Sequence, residues 1–316
     1  MYRPEIKVID CTIRDGGLIN DHQFSDRLVK AVYRACSLAG VDYVELGYQL
    51  SKKQYSPDKF GRSKFCDDDF IREMTAGVEN GAKIATMVDI GRVELEEIKP
   101  KKESAVDLIR TACYVKDIDK AIDYTNHFHA KGYETTVNIM AISTALIPDL
   151  EEGLSELAKS PVKAVYIVDS YGALFSEQIH FLVNLYKKCL QPKGIEVGIH
   201  THNNQQLGFA NTIEAIRKGA NYLDATIFGI GRGPGNCPLE LLVAFLKNPK
   251  FKLEPVLEVI EEEMIPLRGK IEWGYIIPYM VTGVLNMHPR SAIALRSGPD
   301  KDKYTQFYRT CVTDVV

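Results

Sequence analysis

The sequence predicts a (β/α)8 barrel followed by a C-terminal helical extension. Three observations predict it. β-rich runs alternate with amphipathic stretches eight times, the alternation fills about 250 residues, and no low-complexity linker interrupts it. Such alternation implies parallel strands joined by right-handed crossovers. An open doubly wound sheet is the alternative architecture.

The elements follow from periodicity, in order. Residues 6–10 read as a first strand. Residues 25–39 read as a helix, with Leu28, Val32, Ala35 and Leu38 on one face and Ser25 as N-cap. Strand 42–47, helix 67–79 and strand 83–89 come next, then a helix near 92–98. Strand 106–111, helix 117–131, strand 134–142 and helix 149–159 continue the rhythm. Strand 163–169, helix 176–190, strand 195–200, helix 206–218, strand 222–227 and a helix over 238–247 complete it. Residues 1–250 therefore read as one barrel domain. Residues 251–316 leave the rhythm and read as helices, amphipathic over 254–270 and apolar over 276–287.

Composition narrows the function classes. Lys plus Arg is 39 and Asp plus Glu is 42, a net charge of −3. That balance offers no basic face for nucleic acid and no charge run for a membrane surface. No apolar stretch approaches the ~20 residues that span a bilayer. The seven cysteines are widely spaced, odd in number and without a CxxC pair. That is neither a disulfide framework nor a zinc cluster. A cytoplasmic protein is expected.

In a barrel of this class, chemistry sits at the C-terminal ends of the strands. The first strand ends in Asp10-Cys11-Thr12-Ile13-Arg14-Asp15-Gly16-Gly17. The seventh ends in His200-Thr201-His202. Residues two apart in a strand point the same way, so both imidazoles converge. Barrel closure brings strands seven, eight and one side by side. Two histidines beside the acidic end of strand one therefore make a candidate metal site. Strand eight runs into Gly229-Ile230-Gly231-Arg232-Gly233-Pro234-Gly235-Asn236. The spacing is not that of a dinucleotide loop, and such a loop can present backbone N–H groups to an anion. Strand six ends in Asp169-Ser170, strand two in Glu45 through Tyr48, and strand four in Arg110-Thr111. The loop after strand two carries Lys52, Lys53 and Arg62, which suit an anionic substrate.

The segments IDCTIRDGG, VDSYGA, GIHTHNNQQLGFANTIEA and GIGRGPGNCPLE together resemble the signature segments of the DRE-TIM metallolyases. That superfamily includes 3-hydroxy-3-methylglutaryl-CoA lyase, isopropylmalate and homocitrate synthases, and 4-hydroxy-2-oxovalerate aldolases. The resemblance is strongest to the last group, which shares D-S-x-G-A after strand six and G-N-x-P-L-E after strand eight. It spans about residues 6–285. The resemblance implies Asp15, His200 and His202 as metal ligands, with Asn236 a ligand or near-ligand. It implies Arg14 on the substrate keto or enolate oxygen, and Ser170 on the substrate carboxylate. Tyr275 would stand near the reacting aldehyde or alcohol. Glu45, Gly231 and Gly233 complete the expected substrate-binding set. The aldolases carry a histidine base three residues after the ligand aspartate. Here that position is Leu18, and His22 is the nearest substitute.

The expected activity is a class II, divalent-metal-dependent aldolase or lyase working through a pyruvate-type enolate. An oxygen and nitrogen ligand set favours Mn2+, with Mg2+, Co2+ or Zn2+ as alternatives. The candidate bases are His22, Tyr275 and a metal-bound water. Claisen condensation of an acyl-CoA with a 2-oxo acid is the alternative reaction. A non-haem iron oxygenase and a non-catalytic scaffold are alternatives from other classes. The expected partners are a small 2-oxo acid or aldehyde and a second copy of the chain in a homodimer. An aldehyde dehydrogenase docked through the C-terminal helices is a further expectation.

Overall fold

The computed structural model describes residues 1–315. Eight parallel strands close into a barrel in the order β1 to β8. They are β1 (Lys7–Asp10), β2 (Tyr43–Tyr48), β3 (Lys83–Asp89), β4 (Leu108–Cys113), β5 (Glu134–Ile139), β6 (Ala164–Asp169), β7 (Glu196–Thr201) and β8 (Tyr222–Ala225). Four of them, β2, β4, β6 and β8, are buried along their whole length, as expected where helices cover the outer face and side chains fill the inner one. A short α1 (Thr12–Gly16) turns the chain directly above β1.

The crossover helices are α2 (Asp26–Leu38), α3 (Asp68–Thr75), α4 (Ile118–Ala130), α5 (Ile147–Leu157), α6 (Ser176–Leu190), α7 (Gly208–Lys218) and α8 (Leu239–Phe245). In α2, Ser25 Oγ accepts from the Leu28 N–H at 3.3 Å, as its N-cap role requires. Leu28, Val29, Val32 and Cys36 are buried, and full burial of each large side chain contributes about 1.5–3 kcal/mol.

One expected helix is absent. Between β3 and β4 the chain forms only 3-10 turns at Leu95–Glu97 and Lys101–Glu103. Pro100 excludes its predecessor from the helical region, and only Val93 and Ile98 are buried between Gly91 and Pro100. The strict eightfold alternation of strand and helix is thus broken at the third crossover.

Inside the barrel, Ile9, Cys11, Tyr43, Ala85, Leu108, Tyr166, Val168 and Tyr222 form one apolar cluster. Arg110 is fully buried there, with its guanidinium 4.5 Å from the centre of the Tyr166 ring. Its charge is shared by Glu45 Oε2 at 3.0 Å and Asp224 Oδ2 at 2.7 Å. This charged layer forms the floor of the site.

After α8, α9 (Glu254–Val259), a π-helical turn (Ile260–Met264) and α10 (Ile265–Arg268) run on from one another. Val256, Val259, Ile260, Met264 and Trp273 join the main core. Beyond them, α11 (Ile277–Val284), α12 (Arg290–Arg296) and α13 (Tyr304–Val315) form a separate cluster around Tyr279, Val281, Ala292 and Phe307. Asn204, in the loop after β7, donates to the Tyr279 carbonyl at 3.0 Å and ties that cluster to the barrel mouth. No helix among the described residues is long and apolar enough to cross a membrane.

Candidate active site

The strand register builds the site. Gly198 pairs with Tyr222 and Ile199 with Leu223 across β7 and β8, so His200 stands level with Asp224. Ile9 pairs with Asp224 across β1 and β8, which sets Asp15 above the same corner. One ligand atom each from Asp15, His200 and His202 lies within 4.8 Å of the others. All three side chains are buried. The Nε2 atoms of His200 and His202 are 3.6 Å and 3.9 Å from Asp15 Oδ2.

The far side of each imidazole is fixed. His200 Nδ1 is 2.9 Å from Asp224 Oδ2, and His202 Nδ1 is 3.1 Å from the Asp169 carbonyl. Both contacts leave Nε2 facing Asp15, the arrangement in which an outer partner orients a metal-ligating histidine. His202 Nε2 and Asn236 Oδ1 are buried without any hydrogen-bond partner. Unpaired acceptors of that kind are costly unless something fills the space between them. Asn236 reaches this corner because it bridges to His202 in an antiparallel pair.

Charge follows the same geometry. Burial alone would raise the Asp15 carboxyl, but Arg14, His200 and His202 hold it well below the usual carboxylate range. Burial pushes His202 down to about 3, so it is neutral at pH 7. Burial also opposes charge on His200, yet Asp15 and Asp224 raise it above its ordinary value. Arg14 is clamped by Glu45 Oε2 at 2.8 Å and by Asp15.

A second grouping of potential ligands, Cys11 with His200 and Asp224, lies one layer deeper. The Arg110 guanidinium already occupies it, 3.4 Å from Cys11 Sγ and 2.7 Å from Asp224.

A cavity of about 80 Å³ opens over this corner. Arg14, Asp15, Ser170, His200 and His202 line it, together with Leu18, Tyr48, Met87, Asp89, Asn138, Met140, Val168 and Arg232. The structure thus brings five of the expected residues to one space. Asn236 and Gly231 stand directly behind it. A Cβ on Gly231 would lie 2.7 Å from Asp15 Oδ1 and collide with the Asn236 amide.

Other expected residues lie elsewhere. Glu45 sits below the cavity as the shared partner of Arg14 and Arg110. Gly233 packs under the Tyr279 ring. Tyr275 is 57 % exposed and does not line the cavity. His22 is buried behind Gly17, edge-on to Tyr48 with 5.6 Å between ring centres, and its Nδ1 is 3.2 Å from Ser63 Oγ. Burial, with the charges of Lys64 and Arg14, pushes His22 down to about 3. In the glycine loop, which can present N–H groups to an anion, the Arg232 N–H donates to the Asp15 carboxylate, at 3.0 Å from Oδ1.

Several participants carry no local sequence signal. Asp224 and Asn138 are single polar residues on strands and gain meaning only from barrel register. Arg232 lies inside a motif whose glycines drew the reading to the backbone.

A family model described as HMGL-like matches residues 5–261, and the chain belongs to that family. A 4-hydroxy-2-oxovalerate aldolase of Bacillus cereus is 28 % identical over 286 residues, 85 % of this chain and 81 % of its own. An oxaloacetate decarboxylase of Mycobacterium tuberculosis is 28 % identical over 243 residues, 76 % and 70 % of the two chains. An N-terminal domain from Bacteroides vulgatus superposes with a TM-score of 0.78 at 26 % identity, covering 95 % of this chain and all of that one. The chain is an enzyme of the carbon–carbon lyase class.

Proposed function

We propose that the protein is a class II lyase that makes or breaks a carbon–carbon bond through a pyruvate-type enolate, with one divalent cation held by Asp15, His200 and His202. The observation that carries this reading is the inward-facing, unpartnered Nε2 of His202 beside Asp15 and His200. Asn236 Oδ1 supports the same space from behind. The donor set of one carboxylate and two imidazoles suits Mn2+, Mg2+, Co2+ or Zn2+. When bound, such an ion supplies a Lewis acid for the keto oxygen of a 2-oxo acid.

The chain's own groups do the rest. Arg14, held rigid by Glu45, presents an always-charged donor to the same keto oxygen as negative charge develops there. Ser170 offers its hydroxyl proton to a substrate oxygen, because its oxygen already accepts from the Ala141 N–H at 2.8 Å. Leu18, Met87, Met140 and Val168 form apolar wall that excludes water from the enolate.

A second reading concerns which bond breaks. Aldol cleavage needs a base for the alcohol proton, and the only histidines lining the cavity among the described residues are the two ligands. Decarboxylation of a 3-carboxylated 2-oxo acid yields the same enolate without that proton transfer. Leu18 on the wall and the oxaloacetate decarboxylase relative favour it.

The test is incubation of Mn2+-loaded enzyme with oxaloacetate and, separately, with pyruvate and an aldehyde panel. Conversion of oxaloacetate to pyruvate and carbon dioxide, and carbon–carbon bond formation with the aldehydes, are followed by mass. His200→Ala should abolish both activities and Mn2+ binding. A fully active, metal-free His200→Ala enzyme would sink the proposal.

A further inference from the structure

The cations around the mouth differ in what they already hold. Lys52 pairs with Asp67 at 2.6 Å, Lys53 with Glu97 at 3.0 Å, and Arg62 with Glu73 at 2.9 Å. Arg92 pairs with Asp89 at 3.1 Å. The first three of these pairs use the charges that the sequence offered for an anionic substrate. Lys64 is caged by the rings of Tyr48, Tyr55 and Phe60, at 5.1–5.3 Å. Arg14 is shared by Asp15 and Glu45.

Arg232 is different. It lines the cavity, and no carboxylate among the described residues lies within ion-pairing distance of its guanidinium. Among the described residues its one side-chain bond is from Nη2 to the Ser170 carbonyl, at 3.0 Å. That bond leaves the other donors of a planar fork without protein acceptors. It also fixes the guanidinium beside the Ser170 side chain, whose hydroxyl proton is free to donate. Its backbone N–H is independently committed to Asp15 Oδ1. The side chain can therefore be changed without removing that support.

Resting on the lyase reading above, with Ser170 on the substrate carboxylate as the family resemblance implies, we infer that Arg232 is the charged half of the receptor for that 2-oxo carboxylate. Arg232 is then a substrate-binding residue that selects a free acid over its ester or amide. A forked, charged donor matches a carboxylate in two parallel hydrogen bonds, which a neutral ester cannot return. The two cavity carboxylates do not compete, because Asp15 is held by Arg14 and Asp89 by Arg92.

The experiment titrates Mn2+-loaded wild type and Arg232→Gln with pyruvate and with methyl pyruvate by calorimetry. A parallel assay follows deuterium exchange at the pyruvate methyl group by NMR. Arg232→Gln should weaken pyruvate by at least about tenfold and leave methyl pyruvate within about twofold. Ser170→Ala should show a smaller loss, again confined to pyruvate. Equal weakening of both ligands would assign Arg232 a purely structural role and overturn the inference. An unchanged pyruvate affinity, or no wild-type preference for pyruvate over its ester, would also overturn it. If wild type exchanges methyl protons and Arg232→Gln does so at the same KM, the receptor falls while the lyase reading stands. If pyruvate binding depends on Arg232 but no exchange or cleavage occurs with any substrate, the receptor stands and the lyase reading falls.

Discussion

Asp224 Oδ2 lies 2.9 Å from Nδ1 of His200 and 2.7 Å from Nη2 of Arg110. One carboxylate oxygen thus orients a candidate ligand and neutralises the cation beneath it. An Nδ1–H donated to Asp224 leaves the Nε2 lone pair of His200 directed at Asp15.

Asp224→Asn should therefore act twice. Loss of an outer-shell carboxylate typically weakens metal binding by about 10–100-fold. Half of the compensation for buried Arg110 also disappears, at a cost of about 3–5 kcal/mol. Isothermal titration with Mn2+ and chemical denaturation read the two effects separately. Wild-type Mn2+ affinity in a folded Asp224→Asn protein would show that Asp224 does not orient His200.

Gly231 gives a second prediction. The position has no room for a methyl group, because Asp15 and the Asn236 amide already touch the space. Gly231→Ala should displace one of them, at about 1–3 kcal/mol for a small overpacked site. Metal affinity should fall further than global stability, since the strain is applied to Asp15 itself. A variant with intact Mn2+ binding and only a lowered Tm would place the strain elsewhere in the loop.

Much of this was legible in the sequence, and for identifiable reasons. His200 and His202 could be assigned to one corner because strand side chains repeat every two residues and barrel closure sets β7 near β1. The DRE-TIM resemblance supplied Asp15 and Arg14. Asp224 was not legible, because its partners His200 and Arg110 come from other strands and only the register brings them together. The lysines of the strand-two loop were legible as charge but not as pairs. Their acids, Asp67 and Glu97, lie far enough along the chain that folding decides the pairing. The third crossover failed because Glu94 through Ile98 imitates a helix face, while Pro100 and Gly91 leave space for a single turn.

The pole of the barrel opposite the active site makes a pH prediction. Glu134 accepts from Tyr43, Lys83 and Lys163, each at 2.6 Å. Burial alone would raise its carboxyl, but Lys163, Lys83 and Tyr43 bring it down to about 2 from an ordinary 4.5. A depressed acid contributes stability above its unfolded value and loses it as pH falls through the folded one. The stability difference between wild type and Glu134→Gln should therefore be full at neutral pH and shrink between 4.5 and about 2. Its half-buried setting and solvent screening limit the difference to about 1 kcal/mol. Denaturation midpoints across that range check the sign, and a difference that grows in acid would contradict it.

Leu18 supplies the prediction that separates the two lyase readings. Its side chain forms cavity wall at the position where the aldolases it resembles carry a histidine base. A positioned general base contributes about 10²–10⁴-fold to a step that moves a proton. Decarboxylation of oxaloacetate moves no alcohol proton, so it gains nothing from such a base. Leu18→His should raise cleavage of a 4-hydroxy-2-oxo acid by at least about 10²-fold if the new imidazole faces the alcohol. Oxaloacetate turnover should stay level or fall, because an apolar wall has become polar. The ratio of the two rates, taken on the same Mn2+-loaded sample, cancels differences in metal content. If wild type already cleaves the hydroxy acid rapidly and Leu18→His changes neither rate, the alcohol proton leaves by another route. The Tyr48 side of the cavity, with His22 behind it, would then be where that route runs.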